Sequence, residues 1–412
     1  MNGAMLSPVK PSRYRWVILA VVWFSYLNVF LTRLSIGPLA PFLKETFDLS
    51  NAQIGSLVSA TVIGYAPSLI ISGWFVDRFG VKRMLVGGTM LMGICVSILF
   101  LTPSYYFMWG VLVVSGAGAG AIFPSAVKGI MSWFPVRERA TALGINQASV
   151  NVGGIIGASV LPTTALTLGW RYGFLFVGLA SLVICICCAF IYRNPPGEAS
   201  PETADNQNTG KATGIFRSTL ELLKSRDILM LGLATLFLAV VEFSAMAYLV
   251  LYLTESLFYG VVVAGGLLAM TEAAGAFGKP LSGFVSDYFF GGRRKIVFLF
   301  MPVTAAVLCL LIGFSGDTLG WFIYPVLITM GVVAIGWGGL YATMAGELGG
   351  ERMAGAATGT TAAIIMVGVI VGPPVFGFIV DATGSFSAAW LALAVSSVIS
   401  AVFAWLIHEP SK

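Results

Sequence analysis

Twelve long apolar stretches constrain the fold of this chain more than any other feature of its sequence. A helix needs about 20 mostly apolar residues to cross a bilayer, and every stretch reaches that length. They cover residues 16–43, 53–77, 83–102, 106–132, 139–166, 170–192, 227–254, 260–287, 294–315, 319–347, 354–382 and 385–407. The stretches lack the ten-residue alternation of outer-membrane strands. The pattern therefore predicts an all-α membrane protein with twelve transmembrane helices.

The charge content excludes most other classes of protein. Only 10% of the 412 residues are charged and 58% are hydrophobic, whereas soluble domains have about 25% charged residues. A soluble enzyme, a disordered chain and a nucleic-acid-binding protein are excluded on this ground. The single histidine, His408, argues against a histidine-based metal site or a Ser-His-Asp triad. We expect no enzymatic activity, no metal and no cofactor.

One long polar segment, residues 193–226, separates the first six predicted helices from the last six. It predicts a cytoplasmic linker between an N-terminal six-helix bundle (1–192) and a C-terminal one (227–412). The loops and termini predicted on one side of the membrane contain 18 of the 23 Lys and Arg residues, and the loops on the other side contain only Lys44 and Arg171. Because basic loops stay in the cytoplasm, we expect an inner-membrane protein with both termini cytoplasmic.

Two short motifs occur twice at nearly the same offset. Residues 73–83 follow the second predicted helix, and residues 283–294 follow the eighth, with their first glycines 210 positions apart. Residues 137–144 open the fifth predicted helix and residues 351–359 the eleventh, with their glutamates 213 positions apart. Six helices between copies keep both copies in the same orientation, so the pattern predicts two parallel six-helix repeats.

The Gly-x-x-x-Asp-Arg-x-Gly-x-Lys-Arg pattern over residues 73–83 resembles the signature of the major facilitator superfamily. The twelve apolar stretches, the central linker and the degenerate second copy are similar to that family along the whole chain. Charged clusters at these helix ends can join two bundles in one state and release them in another; the alternative is a solvated basic loop. The residues that we expect to act in such gating are Asp77, Arg78, Arg83, Arg139, Asp287 and Arg352.

Three cations lie inside predicted helices, where a charge costs about 2.5–3.5 kcal/mol on insertion scales and usually lines a pathway. Arg33 lies in the first helix, Lys128 in the fourth and Lys279 in the eighth. Arg33 cannot lose its proton and can bind a carboxylate with two parallel hydrogen bonds. For Arg33 the alternative is a side chain that extends to the membrane interface or pairs with a carboxylate. For Lys128 it is extension to the interface, and for Lys279 it is pairing with an acid such as Asp287.

Two carboxylates also lie deep in predicted helices, Glu242 in the seventh and Glu272 in the eighth. A carboxylate removed from water takes up a proton more readily, as a proton-coupling site requires. We therefore predict a coupling role for both, and a permanent pair with a buried cation is the alternative. Glu272 and Lys279 are seven residues apart, so they share one face of their helix.

Two branches of the superfamily give a closer resemblance. The Phe-Pro, Trp-Phe-Pro and Arg-Glu-Arg-Ala elements within residues 123–140, and Arg33 followed by Leu-Ser and a proline, resemble the anion:cation symporter family. Lys-Pro-Leu-Ser-Gly at 279–283 resembles the helix-eight basic position of oxalate/formate and monocarboxylate carriers. These resemblances imply that Arg33, Lys128 and Lys279 bind an organic anion.

The chain departs from the symporter pattern in two places. Thr32 stands where an aspartate usually precedes the arginine, and the fourth predicted helix has no carboxylate. The usual proton-coupling acids of the N-terminal half are therefore missing. Either coupling has moved to Glu242 and Glu272, or the carrier is an exchanger or uniporter.

The sequence thus predicts a monomeric secondary transporter of a small carboxylate-type anion that works by alternating access, with H+ as a candidate coupling ion. The alternatives are a drug/proton exporter of the same fold and a sensor with a carrier fold. Polar side chains predicted to complete the cavity, or else to form interhelical hydrogen bonds, are Tyr26, Asn28, Asn146, Asn151, Tyr248, Trp337 and Tyr341.

Overall fold

The computed structural model of the protein describes residues 13–193, 222, 224–315 and 318–408, and every regular element in these ranges is helical. Eleven segments are long and apolar enough to cross a membrane, and a twelfth, bent by 52°, qualifies when its two arms are counted together. This confirms the predicted all-α membrane fold. The segments are α1 Tyr14–Phe47, α2 Asn51–Phe79, α3 Val81–Leu101, α4 Tyr105–Trp133, α5 Val136–Thr167, α6 Trp170–Ile191, α7 Arg226–Glu255, α8 Val261–Phe289, α9 Arg294–Ser315, α10 Gly320–Gly350, α11 Met353–Thr383 and α12 Phe386–Leu406.

We call helices α1–α6 the first half of the molecule and α7–α12 the second half. The second arm of α1 packs on α7, α2 packs on α11, and α5 packs on α8. These three helix pairs make the main contacts between the halves. Most of the linker predicted over 193–226 lies outside the described residues.

Helix α1 is broken immediately after Arg33. Its first arm ends at Arg33 and its second arm begins at Ile36. Pro38 has no amide hydrogen to donate to the carbonyl four residues earlier, so the helix cannot continue unchanged through Leu34. The second arm passes so close to α7 that a Cβ on Gly37 would lie 2.5 Å from the carbonyl oxygen of Met246. The break therefore places Arg33 at a helix end that faces the other half.

Helix α10 contains a π-helical segment, Gly331–Ile335, where it crosses α8. The two helices touch through glycines: a Cβ on Gly331 would lie 2.2 Å from the carbonyl oxygen of Thr271, and one on Gly278 would lie 2.7 Å from that of Val332. π-Helical turns shift the register of the side chains that follow them. Trp337 follows this segment directly.

The halves are joined at one end of the molecule, which we call the closed end and define by Lys44, Asn51, Glu255 and Asp381. Lys44 Nζ lies 2.9 Å from the Glu255 carboxylate. Asp381 accepts hydrogen bonds from the amide and side chain of Asn51, at 2.8 and 2.7 Å, and from the amide of Ala52 at 2.8 Å. The carboxylate of α11 therefore caps the first turn of α2 across the boundary between the halves.

At the opposite end, which we call the open end and define by Asp77, Arg139, Asp287 and Glu347, the ion pairs between residues that the structure describes stay within one half. Lys128 pairs with Asp77 at 2.9 Å, and Arg294 pairs with Glu347 at 2.9 Å. Between described residues, every hydrogen bond that joins the halves lies between the closed end and Lys279. The molecule is therefore closed at one end and separated at the other.

Candidate functional site

Arg33 is a buried cation at mid-depth in the molecule. Its side chain is 5% exposed and lies among three aromatic rings, with its guanidinium carbon 5.1 Å from the Phe30 centroid, 4.8 Å from Tyr65 and 5.9 Å from Phe243. We call these rings the aromatic cage. Phe243 belongs to α7, so the cage contains residues from both halves. Cation–π contacts stabilise the charge at these distances.

The guanidinium of Arg33 is not neutralised by a direct partner. Among the described residues it forms no ion pair, and its buried Nη2 has no hydrogen-bond acceptor. A buried donor without an acceptor is costly, and an arginine presents a planar pair of donors that matches a carboxylate. The arrangement therefore fits a carboxylate or similar oxyanion beside Arg33.

Asn151 of α5 connects two charged residues of α8. Lys279 Nζ donates to Asn151 Oδ1 at 2.7 Å, and Asn151 Nδ2 donates to Glu272 Oε2 at 3.3 Å. Lysine only donates and an ionised carboxylate only accepts, so these two partners fix the orientation of the amide. Glu272 is 3% exposed and Asn151 is 2% exposed. The network crosses from one half to the other inside the molecule.

Glu242 of α7 is bonded within its own half. Trp337 Nε1 donates to Glu242 Oε2 at 2.9 Å and also approaches the carbonyl oxygen of Ala334 at 2.9 Å. Lys279, Glu272 and Arg33 all lie near enough to interact electrostatically with Glu242. Two cations and two carboxylates therefore share one region, and their formal charges sum to zero when all four are ionised.

Two small cavities lie within this region. One is lined by Arg33, Glu272 and Phe243, among others, and the other by Glu242 and Met246, among others. Each has a volume of about 10 Å³, which is room for about one water molecule. An organic anion can enter only if the halves move apart around these residues.

Several residues predicted from the sequence to line the cavity lie around or outside this cluster. Tyr26 packs beside Tyr65 and Arg33, and the Trp337 ring lies 5.5 Å from that of Tyr341. The others make contacts elsewhere. Asn28 donates to Ser181 inside the first half, and Tyr341 contacts Thr358 and Thr361 of α11. Tyr248 donates to the Asn51 carbonyl oxygen at the closed end. Asn146 is buried in α5, and its Oδ1 accepts no hydrogen bond from the described residues.

Lys128 is not brought together with Arg33 and Lys279. Its Nζ lies 2.9 Å from Asp77 Oδ1 and 3.4 Å from the carbonyl oxygen of Val76. Lys128 and Asp77 both line an open cleft of about 500 Å³ on the first half. The structure therefore pairs Lys128 with a carboxylate at the open end, a contact that the sequence did not predict for this lysine.

The predicted gating residues lie at the open end. Asp287 is 3.8 Å from Arg294, and Arg139 donates to the carbonyl oxygen of Phe134 at 3.0 Å. Arg78 packs against the rings of Trp74 and Phe79, and Arg83 is exposed. The side chain of Arg352 lies outside the part of the chain that the structure describes.

Sequence reasoning missed two sets of residues. Phe30 and Phe243 of the aromatic cage carry no polar atom, so nothing distinguished them from lipid-facing aromatics. The closed-end residues lie at helix ends, where charged side chains are common. Asp381, near the end of an otherwise apolar stretch, was the one available signal for that contact.

The sequence model of the Major Facilitator Superfamily matches residues 22–366 of the chain. Among solved structures, an inward-facing bacterial homologue of the human lysosomal transporter Spinster superposes with a TM-score of 0.81 at 19% identity, covering 97% of this chain and 100% of that one.

Curated relatives match over most of their length. The probable sulfoacetate transporter SauU of Cupriavidus necator is 27% identical, and the match covers 90% of this chain and 89% of that protein. The hexuronate transporter of Bacillus subtilis is 24% identical, with coverage of 91% and 90%. The membrane sensor protein UhpC of Escherichia coli is 26% identical, with coverage of 95% and 92%.

Proposed function

Because the chain belongs to the major facilitator superfamily, we propose that it is a secondary transporter of a small carboxylate-type anion that works by alternating access. The buried guanidinium of Arg33, which has no direct anionic partner among the described residues, carries this proposal. The names of two relatives, a sulfoacetate and a hexuronate transporter, support an organic anion as the substrate.

The anion binds between Arg33 of α1 and Lys279 of α8, in the region where the cavities now have room for about one water molecule. Binding displaces Lys279 from Asn151 and fills the empty donor position of Arg33. The aromatic cage excludes water on the other faces of the guanidinium. Because the site contains residues of both halves, relative rotation of the halves exposes it first to one side of the membrane and then to the other.

The open end faces the cytoplasm in this proposal, because the loops predicted on that side hold 18 of the 23 basic residues. The structure then corresponds to an inward-facing carrier in the cytoplasmic membrane with both termini inside. The closed-end contacts of Lys44, Asn51, Glu255 and Asp381 block the other side.

Charge balance couples the anion to protons. When the site is empty, the two negative charges of Glu242 and Glu272 balance the two positive charges of Arg33 and Lys279. A bound monoanion adds one negative charge, and burying a net charge between the halves is costly. Uptake of one proton by a carboxylate restores neutrality, so we propose electroneutral symport of one proton with a monoanion.

Uptake by proteoliposomes tests this function. We expect a panel of labelled organic acids that includes a hexuronate and sulfoacetate to contain at least one substrate. For a monoanion, an inward pH gradient of one unit should support about tenfold accumulation. A potential imposed with potassium and valinomycin should not drive accumulation. Accumulation that follows the potential and ignores pH would contradict the charge balance.

The variant K128Q distinguishes the two roles of Lys128. Because Lys128 is bonded to Asp77 and not to the central cluster, we expect the dissociation constant of a transported anion to change less than about threefold, since an exposed ion pair contributes only about 0–1 kcal/mol. Isothermal titration calorimetry of the purified protein measures it. An increase of about 30-fold or more in the dissociation constant would instead indicate that Lys128 binds the anion.

A sensor with a carrier fold is the second candidate, since one relative is named a membrane sensor protein. A sensor binds the anion but moves none. Ligand-dependent thermal stabilisation without uptake by proteoliposomes would favour it. Efflux of dyes that stops with a protonophore would instead favour a drug/proton exporter.

A further inference from the structure

The carboxylate of Glu272 lies directly against the backbone of α5 at Gly154. A Cβ at Gly154 would be 2.7 Å from both Cδ and Oε1 of Glu272, closer than real Cβ contacts. Asn151, three residues earlier on the same face of α5, donates to the other carboxylate oxygen. We call Asn151 and Gly154 the α5 seat. No larger residue fits at position 154 unless Glu272 moves.

We propose that Glu272 carries the proton coupled to a monoanion and that Gly154 is the positioning residue that holds it. This assignment rests on the proposed function and selects one of its two carboxylates. Glu272 belongs to α8 and its seat belongs to α5, so the contact crosses between the halves. Separation of α5 from α8 must break this contact.

Glu242 lacks this property. Its hydrogen bond comes from Trp337, and both residues belong to the second half. A rigid rotation of the halves leaves that bond in place. Of the two carboxylates, Glu272 therefore undergoes the larger change of surroundings during the transport cycle.

Glu272 can return to the α5 seat only when the charges buried around it sum to zero. The polar neighbour of Glu272 is Asn151, and the charged groups near it are Arg33 from α1, Glu242 from α7 and Lys279 from α8. Without an anion, ionised Glu272 fits the seat and balances a cation. With a monoanion on the cations, Glu272 must be protonated before it can return to the dry seat, because an excess charge buried there is costly. Water that enters between the separated helices exchanges the proton.

The variants E272Q and E242D distinguish the two carboxylates, with the monoanion that the wild-type protein accumulates fastest as the probe. Glutamine keeps the shape of the side chain but holds no exchangeable charge. We expect E272Q to exchange labelled for unlabelled anion across the membrane while its pH-driven accumulation falls about tenfold, to the level without a gradient. We expect E242D, which keeps the negative charge of this residue, to retain the dependence of accumulation on the pH gradient, whatever its rate, because the charge balance of the site is unchanged.

Two results would overturn the assignment: E272Q that still accumulates the anion in proportion to the pH gradient, or E242D that loses this dependence. Failure of the proposed function looks different, since the wild-type protein would then move no anion under any gradient. In that case both proposals fall.

A second set of variants tests the seat. G154A should reproduce the loss of pH-driven accumulation with retained exchange, because its methyl group displaces the carboxylate. Adding E272D shortens the acid by one methylene and should restore the pH dependence. G157A is the matched control on the same helix, since the atom nearest to its Cβ would be the flexible Leu31 Cδ1, at 3.3 Å. Equal behaviour of G154A and G157A, or no recovery in G154A/E272D, would contradict a seat at Gly154.

Discussion

R33Q is expected to weaken binding of the transported anion by about 2–3 kcal/mol, or about 30- to 150-fold in the dissociation constant, because it removes charge-assisted hydrogen bonds. Glutamine keeps a polar side chain inside the aromatic cage but loses the positive charge. Calorimetric titration and the shift of the unfolding temperature with ligand both report the loss. Uptake at substrate concentrations below KM should fall by the same factor.

R33K separates charge from geometry. Lysine restores the charge but not the planar pair of donors, so we expect it to recover only part of the affinity. R171Q is the matched control, because Arg171 is an exposed arginine that packs on Trp170. Wild-type affinity in R33Q would exclude Arg33 as the anion ligand.

D381A is expected to open the closed end. It removes three hydrogen bonds, from the amide and side chain of Asn51 and the amide of Ala52, that join α11 to the first turn of α2. We expect a loss of about 2–3 kcal/mol, which shifts the ratio of closed to open forms at this end by about 30- to 150-fold. Electron–electron distance measurements between spin labels at Glu45 and Val262, in a background without Cys187, follow this shift.

T383A is the matched control for D381A. Thr383 lies two residues further along α11, and its hydroxyl donates to Ile379 within the same helix. Its distance distribution should match that of the unsubstituted protein. If D381A also leaves the distribution unchanged, the Asp381 cap does not hold the closed end.

The fold followed from the sequence because hydrophobic length is a local property. Each apolar stretch is long enough to span a bilayer, and all twelve correspond to helices of the structure. The break in α1, at Leu34 and Ser35, likewise has a local cause in Pro38. A missing backbone donor at proline acts within one turn, so a local pattern indicates it.

Partner choice among the charged residues did not follow from the sequence. Lys128 and Lys279 have similar surroundings along the chain, yet the first pairs with Asp77 at the open end and the second bonds to Asn151 at the centre. Depth in the membrane is fixed by position along a helix. The partner depends on the rotation of that helix and on which helix of the other half it meets.

The sequence by itself determined that the chain spans a membrane with twelve helices, and it indicated four ionisable groups at depth, Arg33, Glu242, Glu272 and Lys279, because the costs of burying apolar and charged side chains are set residue by residue. The tertiary structure alone decided that Arg33 has an aromatic cage shared by both halves, that Glu272 rests on Gly154, and that Asp381 caps α2. Each of these contacts includes residues more than a hundred positions apart, and the complete geometry exists only once the halves have packed.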